Sequence, residues 1–232
     1  MTKRHLQSIV KLTTSRLPRR VTSSASACAT QTETCNPAAQ ISLEGLSTKL
    51  TAGDILFIRV PAYPFHKVAE TTQSWTNHVG IVVEANRSEV LVAESKFPLS
   101  RISPLARFLS SAEGGRISVQ RLNIGLTDTQ QNRLQQAARA RLGVFYDTGF
   151  NLHSKREFCS RYVHEIIREA TGTPVGEVET FSTLLTRNPR ADLGFWTLWY
   201  FGNIPWNRET ITPASMLRSA ALHSVFDGYF NA

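Results

Sequence analysis

One cysteine and one histidine of this 232-residue chain stand where their side chains could do chemistry together. Cys159 heads the run Phe158-Cys159-Ser160-Arg161-Tyr162, which reads as the start of a helix. A thiol at a helix N-terminus sits in the positive end of the backbone dipole, which favours thiolate, the reactive form. His78, in Asn77-His78-Val79-Gly80-Ile81, stands at the head of a run that reads as a strand. An imidazole held there can take the thiol proton and later return it to a leaving group. Each residue alone has an ordinary structural role, the cysteine as a small buried hydrophobe and the histidine as a satisfied core group. What turns the pair into a candidate site is a third group to orient the imidazole.

A hairpin supplies that group. If Ala85-Asn86-Arg87 form a three-residue loop, Glu84 faces Ser88 and His78 lies directly opposite Glu94. Directly opposed residues project to the same face, with Cβ atoms about 4.5–5.5 Å apart. A one-residue slip, absent a bulge, would send Glu94 to the other face. In the expected register Glu94 accepts from one imidazole nitrogen and the other faces Cys159. Backbone N–H groups at the start of the cysteine helix are expected to meet the oxyanion of a tetrahedral intermediate. His5, His66, His153, His164 and His223 show no paired spacing, and Cys28 and Cys35 lack the close spacing of a zinc or redox motif. With no phosphate-loop, dinucleotide or metal signature either, the expectation is no cofactor and no metal.

The elements that must position these residues read as an α+β domain, an antiparallel sheet with helices segregated around it. Gly53 to Ile58 is a turn and a short buried strand; after a loop through Pro61, Pro64 and Thr72, Val79–Val83 and Val90–Glu94 are the next two. Ser103-Pro104 predicts a helix to about Ser111, with serine as N-cap and proline at the first helical position. Arg116–Leu122 alternates as a half-exposed strand, and Thr127 with Gln130 forms a capping box before a helix that Gly143 stops. The cysteine helix is expected over Glu157–Ala170, with Phe158, Tyr162, Val163, Ile166 and Ile167 on one face and Gly172 past its end. Thr212-Pro213 opens a last short helix.

The formal charge of +8 suggests an anionic partner until it is located. Six of the 26 Lys and Arg fall in residues 1–32, which hold no acid; 20 bases against 18 acids remain, a net of +2 over the other 200 residues. The basic character belongs to a tail, and no nucleic-acid partner is expected. Residues 1–45 read as a basic tail, largely disordered, and 46–232 as one domain, with order beginning near Leu50. The first 32 residues contain no secretory core and no window reaches the length of a membrane span. The expected location is therefore cytoplasmic by default, with organellar targeting left open by the Arg/Ser/Thr-rich start. The stretch Leu193–Trp206 is broken by Gly194, Gly202, Asn203 and Pro205 and reads as packed or groove-lining aromatics.

Gly53 to Phe57, His78 to Ile81, Val92-Ala93-Glu94-Ser95, Gly143 to Asp147 and Phe158-Cys159-Ser160 to Val163 recur in that order in one family. Over about Leu50 to Leu217 the chain resembles the circularly permuted, NlpC-type papain-like hydrolases of the YiiX/YebB-like branch. Its segment Glu177–Trp206 looks closest to YebB-like members. The reversed order, histidine before cysteine, fits the permutation. The resemblance implies a small papain-like barrel or antiparallel sheet packed on helices, with a cysteine peptidase or amidase site. It matches Cys159 to the nucleophile, His78 to the base, Glu94 to the third polar residue and Tyr146 to a substrate-facing position. It implies a small peptide or amide substrate, often a cell-wall peptide in the wider family. Acyltransferases and phospholipases of the superfamily share the His-then-Cys order; their Asn-Cys-Glu-His-type motif differs from Phe158-Cys159-Ser160-Arg161. A non-catalytic binding module is the alternative of another class, and the presence of all three polar residues counts against it.

Overall fold

A computed structural model describes residues 39–86 and 88–231. The first half runs β1 (Gln40–Ser42), α1 (Leu43–Ser47), β2 (Ile55–Ile58), α2 (Tyr63–Thr71), β3 (His78–Ala85), β4 (Val90–Lys96), β5 (Leu99–Pro104) and α3 (Leu105–Leu109). After a short 3-10 turn come β6 (Arg116–Leu122), α4 (Asp128–Ala140) and α5 (Cys159–Thr171). The chain ends with β7 (Val178–Thr180), α6 (Phe181–Arg187), α7 (Leu193–Trp199), β8 (Glu209–Ile211), α8 (Pro213–Leu217) and β9 (Leu222–Asn231). Seven strands form one sheet in the order β1-β9-β6-β2-β3-β4-β5, antiparallel except for the parallel pair β1 and β9. β7 and β8 make a separate two-stranded ribbon.

Alternation along the central strands divides the core in two. Ile55, Phe57, Val79, Ile81 and Ala93 pack with Leu134, Ala138, Tyr162, Val163 and Ile166 of α4 and α5. Leu56, Ile58, Val82, Val90 and Val92 face the other way, onto Leu46 of α1 and Leu105, Phe108 and Leu109 of α3. This is the period-2 pattern of a sheet covered on both faces. α5 carries its apolar residues at helical spacing and ends at Gly172, whose φ of 75° gives the left-handed conformation that closes a helix. The capping box of Thr127 and Gln130 opens α4, and Thr212 with Ser215 opens α8.

Three expectations are corrected. A strand, β1 at Gln40–Ser42, lies ahead of Leu50, because it finds hydrogen-bonding partners on β9. The helix expected at Ser103-Pro104 is preceded by a strand that absorbs both residues; pairing of Val92 with Ser103 and Leu91 with Pro104 overrides the local capping signal. The region through Pro61, Pro64 and Thr72, read as loop, holds α2, with proline in its first turn. The short helix expected at Thr212-Pro213 is α8, the last helix, and β9 after it returns into the main sheet. Cys28 and Cys35 lie outside the described residues.

Candidate functional site

Cys159 is the first residue of α5. Phe158, the residue at the cap, is extended and offers no side-chain cap, and no acid stands in the first turn. The first amides of the helix are thus not taken up by a neighbouring side chain, and their positive end is directed at the sulfur. The hydroxyl of Ser160 donates to the Ile211 carbonyl (2.7 Å), and that of Ser95 to the Glu157 carbonyl (3.1 Å), so β8 and β4 both fix the helix start. The N–H of Asp147 donates to Glu157 O and the N–H of Glu157 to Phe145 O, which ties Tyr146 alongside. The Tyr146 hydroxyl lies 4.0 Å from Cys159 Sγ, at the outer limit of an O–H···S hydrogen bond.

His78 is the first residue of β3. Its Nε2 meets Glu94 Oε2 at 2.6 Å, which leaves Nδ1 free of the carboxylate, and the neighbouring Cys159 favours charge on the ring. The Phe108 ring stacks beside the imidazole at 5.9 Å. Gly80 makes room for that ring: a Cβ there would sit 2.7 Å from Phe108 and 2.9 Å from Val92. The structure thus brings His78, Glu94, Cys159 and Tyr146 together, all of them buried.

The register that does so differs from the expected one. Ala85 pairs with Val90 and Glu84 with Leu91, not Ser88, so the connection spans residues 86–89. Asn86 favours this longer loop, its Oδ1 accepting from the N–H groups of Ser88 and Glu89. A bulge between Val82 and Glu84 then shifts the pairing, so that Val82 faces Val92 and Ile81 faces Ala93. Carried to the strand ends, this register sets Gly80 across from Glu94 and Lys96 across from His78. His78 and Glu94 are diagonal partners on one face, still within reach of long side chains.

Arg101 of β5 was not anticipated. It pairs directly with Glu94 across the strands, and its Nε and Nη2 donate to Glu94 Oε1 at 2.9 and 2.7 Å. Reading Ser103-Pro104 as a helix start hid the strand that carries it; the turn at Phe97-Pro98, between two strands, was the available signal.

Electrostatics follow from these contacts. Burial resists charge on His78, but hydrogen bonds to Cys159 and Glu94 outweigh it and lift the imidazole to about 9. Burial would raise Glu94, yet the hydrogen bond from His78 and the charges of His78 and Arg101 bring it down to about 2. Burial likewise pushes the Cys159 thiol up, and the hydrogen bond and charge of His78, the Tyr146 hydroxyl and the Val79 N–H pull it below its ordinary value. Burial, together with the anionic sulfur, drives Tyr146 well above the usual phenol range, so it keeps its proton. Thiolate beside imidazolium is the favoured pairing.

A cleft of about 590 Å³ opens over His78, walled by Phe65, Phe97, Tyr146, Phe150 and Trp199. On the sulfur side a narrow apolar crevice is lined by Cys159, Phe181, Leu184, Leu185 and Trp196. Phe65, Tyr146 and Phe150 border both. The aromatics of 193–206 divide accordingly: Trp196 packs, Trp199 lines the cleft, and Phe201 is 97% exposed. No described helix is long and apolar enough to cross a membrane.

A sheet whose histidine strand precedes a cysteine-headed helix defines a permuted papain-like protein. Residues 49–226 match the model of the permuted papain-like amidase enzymes, YaeF/YiiX, C92 family, and the chain belongs to that family. It is 26% identical over 185 residues to the uncharacterized protein YiiX of Escherichia coli K12, covering 80% of this chain and 90% of that one. It also resembles the crystal structure described as metalloprotein YiiX of Escherichia coli O157:H7. There the TM-score is 0.72 and the identity 26%, over 78% of this chain and 99% of the other. Among the described residues here, no three His, Cys, Asp or Glu side chains group so as to hold a metal ion.

Proposed function

We propose that the chain is a cysteine amidase that cleaves an amide or peptide bond through an acyl-enzyme at Cys159. The observation that carries this reading is the imidazole of His78 held between the Glu94 carboxylate and a sulfur at a helix N-terminus. The Cys159 thiolate attacks the carbonyl carbon, and the Cys159 N–H and Tyr146 hydroxyl meet the oxyanion. The His78 imidazolium gives its proton to the departing amine as the C–N bond breaks. Neutral His78 then takes a proton from water, which attacks the thioester and frees the acid and the thiol. Glu94 stays ionised throughout and holds the imidazole in orientation.

The test is alkylation of Cys159 by iodoacetamide, followed by intact mass. Folded protein should label at Cys159 near neutral pH, and His78→Ala should slow that labelling about 100-fold. Equal rates in the two proteins would sink the assignment.

A further inference from the structure

The cleft over His78 is lined mostly by apolar and aromatic side chains, with Ser111 and Thr148, and apart from His78 itself its one basic side chain is Lys96. Lys96 is the last residue of β4, on the same face as Glu94, where the register carries it across from His78. Its ammonium donates to the Ser111 hydroxyl and has no carboxylate within salt-bridge distance among the described residues. Burial pushes its pKa down, and although Glu94 favours its charge, Arg101 and Arg107 nearby add to the repulsion. Glu94 is already engaged by His78 and Arg101. A half-buried cation without a counter-ion, in an apolar cleft beside the reacting groups, gains from an incoming anion more than an exposed lysine would.

We infer that Lys96 is a specificity residue that binds a carboxylate on the substrate, so that the preferred substrate is an amide with an apolar flank and a carboxylate close to the scissile bond. N-acyl amino acids with apolar side chains and peptides cut near an apolar C-terminal residue both have this chemistry. The inference rests on the amidase reading and names the substrate class of the same site.

Two probes separate it from that reading. N-chloroacetyl-phenylalanine and N-chloroacetyl-phenylalaninamide share the reactive carbon and the ring and differ only in the anion. In each, the Cys159 thiolate forms a C–S bond as chloride leaves. The second-order rate of Cys159 labelling is followed by intact mass in the full chain, in Lys96→Met and in Lys96→Gln. The readout is the carboxylate-to-amide ratio within each protein, with circular dichroism to confirm folding. The wild-type ratio should be about ten, and both substitutions should bring it close to one. A wild-type ratio near one, or a ratio of ten that survives both substitutions, would overturn the assignment and reduce Lys96 to a tether for Ser111. Failure of the amidase reading shows separately, in iodoacetamide labelling that ignores His78→Ala.

Discussion

Arg101→Met should loosen the candidate site from its far end. Arg101 places two charged hydrogen bonds on Glu94, whose side chain is 1% exposed, while its own is 30% exposed. Charged hydrogen bonds contribute about 1.5–3 kcal/mol each, and removing one partner of a buried charge is the costly direction. Water can replace part of a partner that is itself partly exposed, so we take about 1.5–3 kcal/mol for both bonds together. At about 1.4 kcal/mol per pKa unit, Glu94 should climb about one to two units from its position near 2. His78, held near 9 partly by that carboxylate, should fall, and the Cys159 thiol should rise with it. Stability shifts too. Glu94, depressed from 4.5 to about 2, contributes above pH 4.5 and loses the contribution as pH falls toward 2; the substitution moves that loss to higher pH. His78, raised from 6.5 to about 9, contributes below pH 6.5 and loses it as pH climbs through 9, a limb that should move to lower pH. The assay is the iodoacetamide rate at Cys159 from pH 4 to 10 beside acid-unfolding curves. The acid limb of the rate profile should move upward in Arg101→Met and partly return in Arg101→Lys, which keeps the charge but not the fork. A folded Arg101→Met protein with both curves unmoved would refute the reasoning.

Tyr146→Phe removes the hydroxyl that the proposed mechanism sets against an oxyanion, a part it does not have in alkylation. The ratio of Cys159 acylation by p-nitrophenyl acetate to alkylation by iodoacetamide should drop about 100-fold, in line with about 2.7–4 kcal/mol per donor; an unchanged ratio removes Tyr146 from that role. Gly80→Ala sets a methyl 2.7 Å from Phe108 and 2.9 Å from Val92, with the Ala93 carbonyl at 3.3 Å. Overpacking of this kind costs about 1–3 kcal/mol, a fall in Tm of roughly 3–10 °C by calorimetry. Because Phe108 stacks on His78, Cys159 alkylation should slow as well; an unaltered melt would show that the ring moves aside freely.

Elements with a local signature were legible in the chain, and those that depend on distant partners were not. The strands around Ile55–Ile58 and Val79–Val83 announce themselves by β-branched runs, α4 by its capping box and α5 by apolar spacing and Gly172. β1 has three residues and exists only because β9 lies beside it, which no local pattern encodes. β7 and β8 are equally short and pair with each other across 28 intervening residues or more. The site divides in the same way. His78, Glu94 and Cys159 follow from residue type and order and Tyr146 from the family resemblance, whereas Arg101 needs a strand whose own residues signal a helix start. Lys96 needs the register before it can be placed beside His78.

That register shows how little separates the observed site from none. At the turn, Glu84 faces Leu91 and Ala85 faces Val90; continued unchanged, the pairing would set Glu94 across from Ile81. Ile81 belongs to the face that packs on α4 and α5, so Glu94 would enter an apolar core and leave His78 without its carboxylate. One extra residue on β3, between Val82 and Glu84, reverses the alternation, and Glu94 returns to the face of His78 and Arg101. A three-residue loop and a four-residue loop with a bulge give the same parity, which is why reasoning from the wrong loop still found the right face. The cost of a buried carboxylate without its partners, several kcal/mol, selects the bulge over the straight ladder. On this argument the ion pairs at the site are part of what fixes the hairpin, and the hairpin in turn fixes the distance between His78 and Glu94.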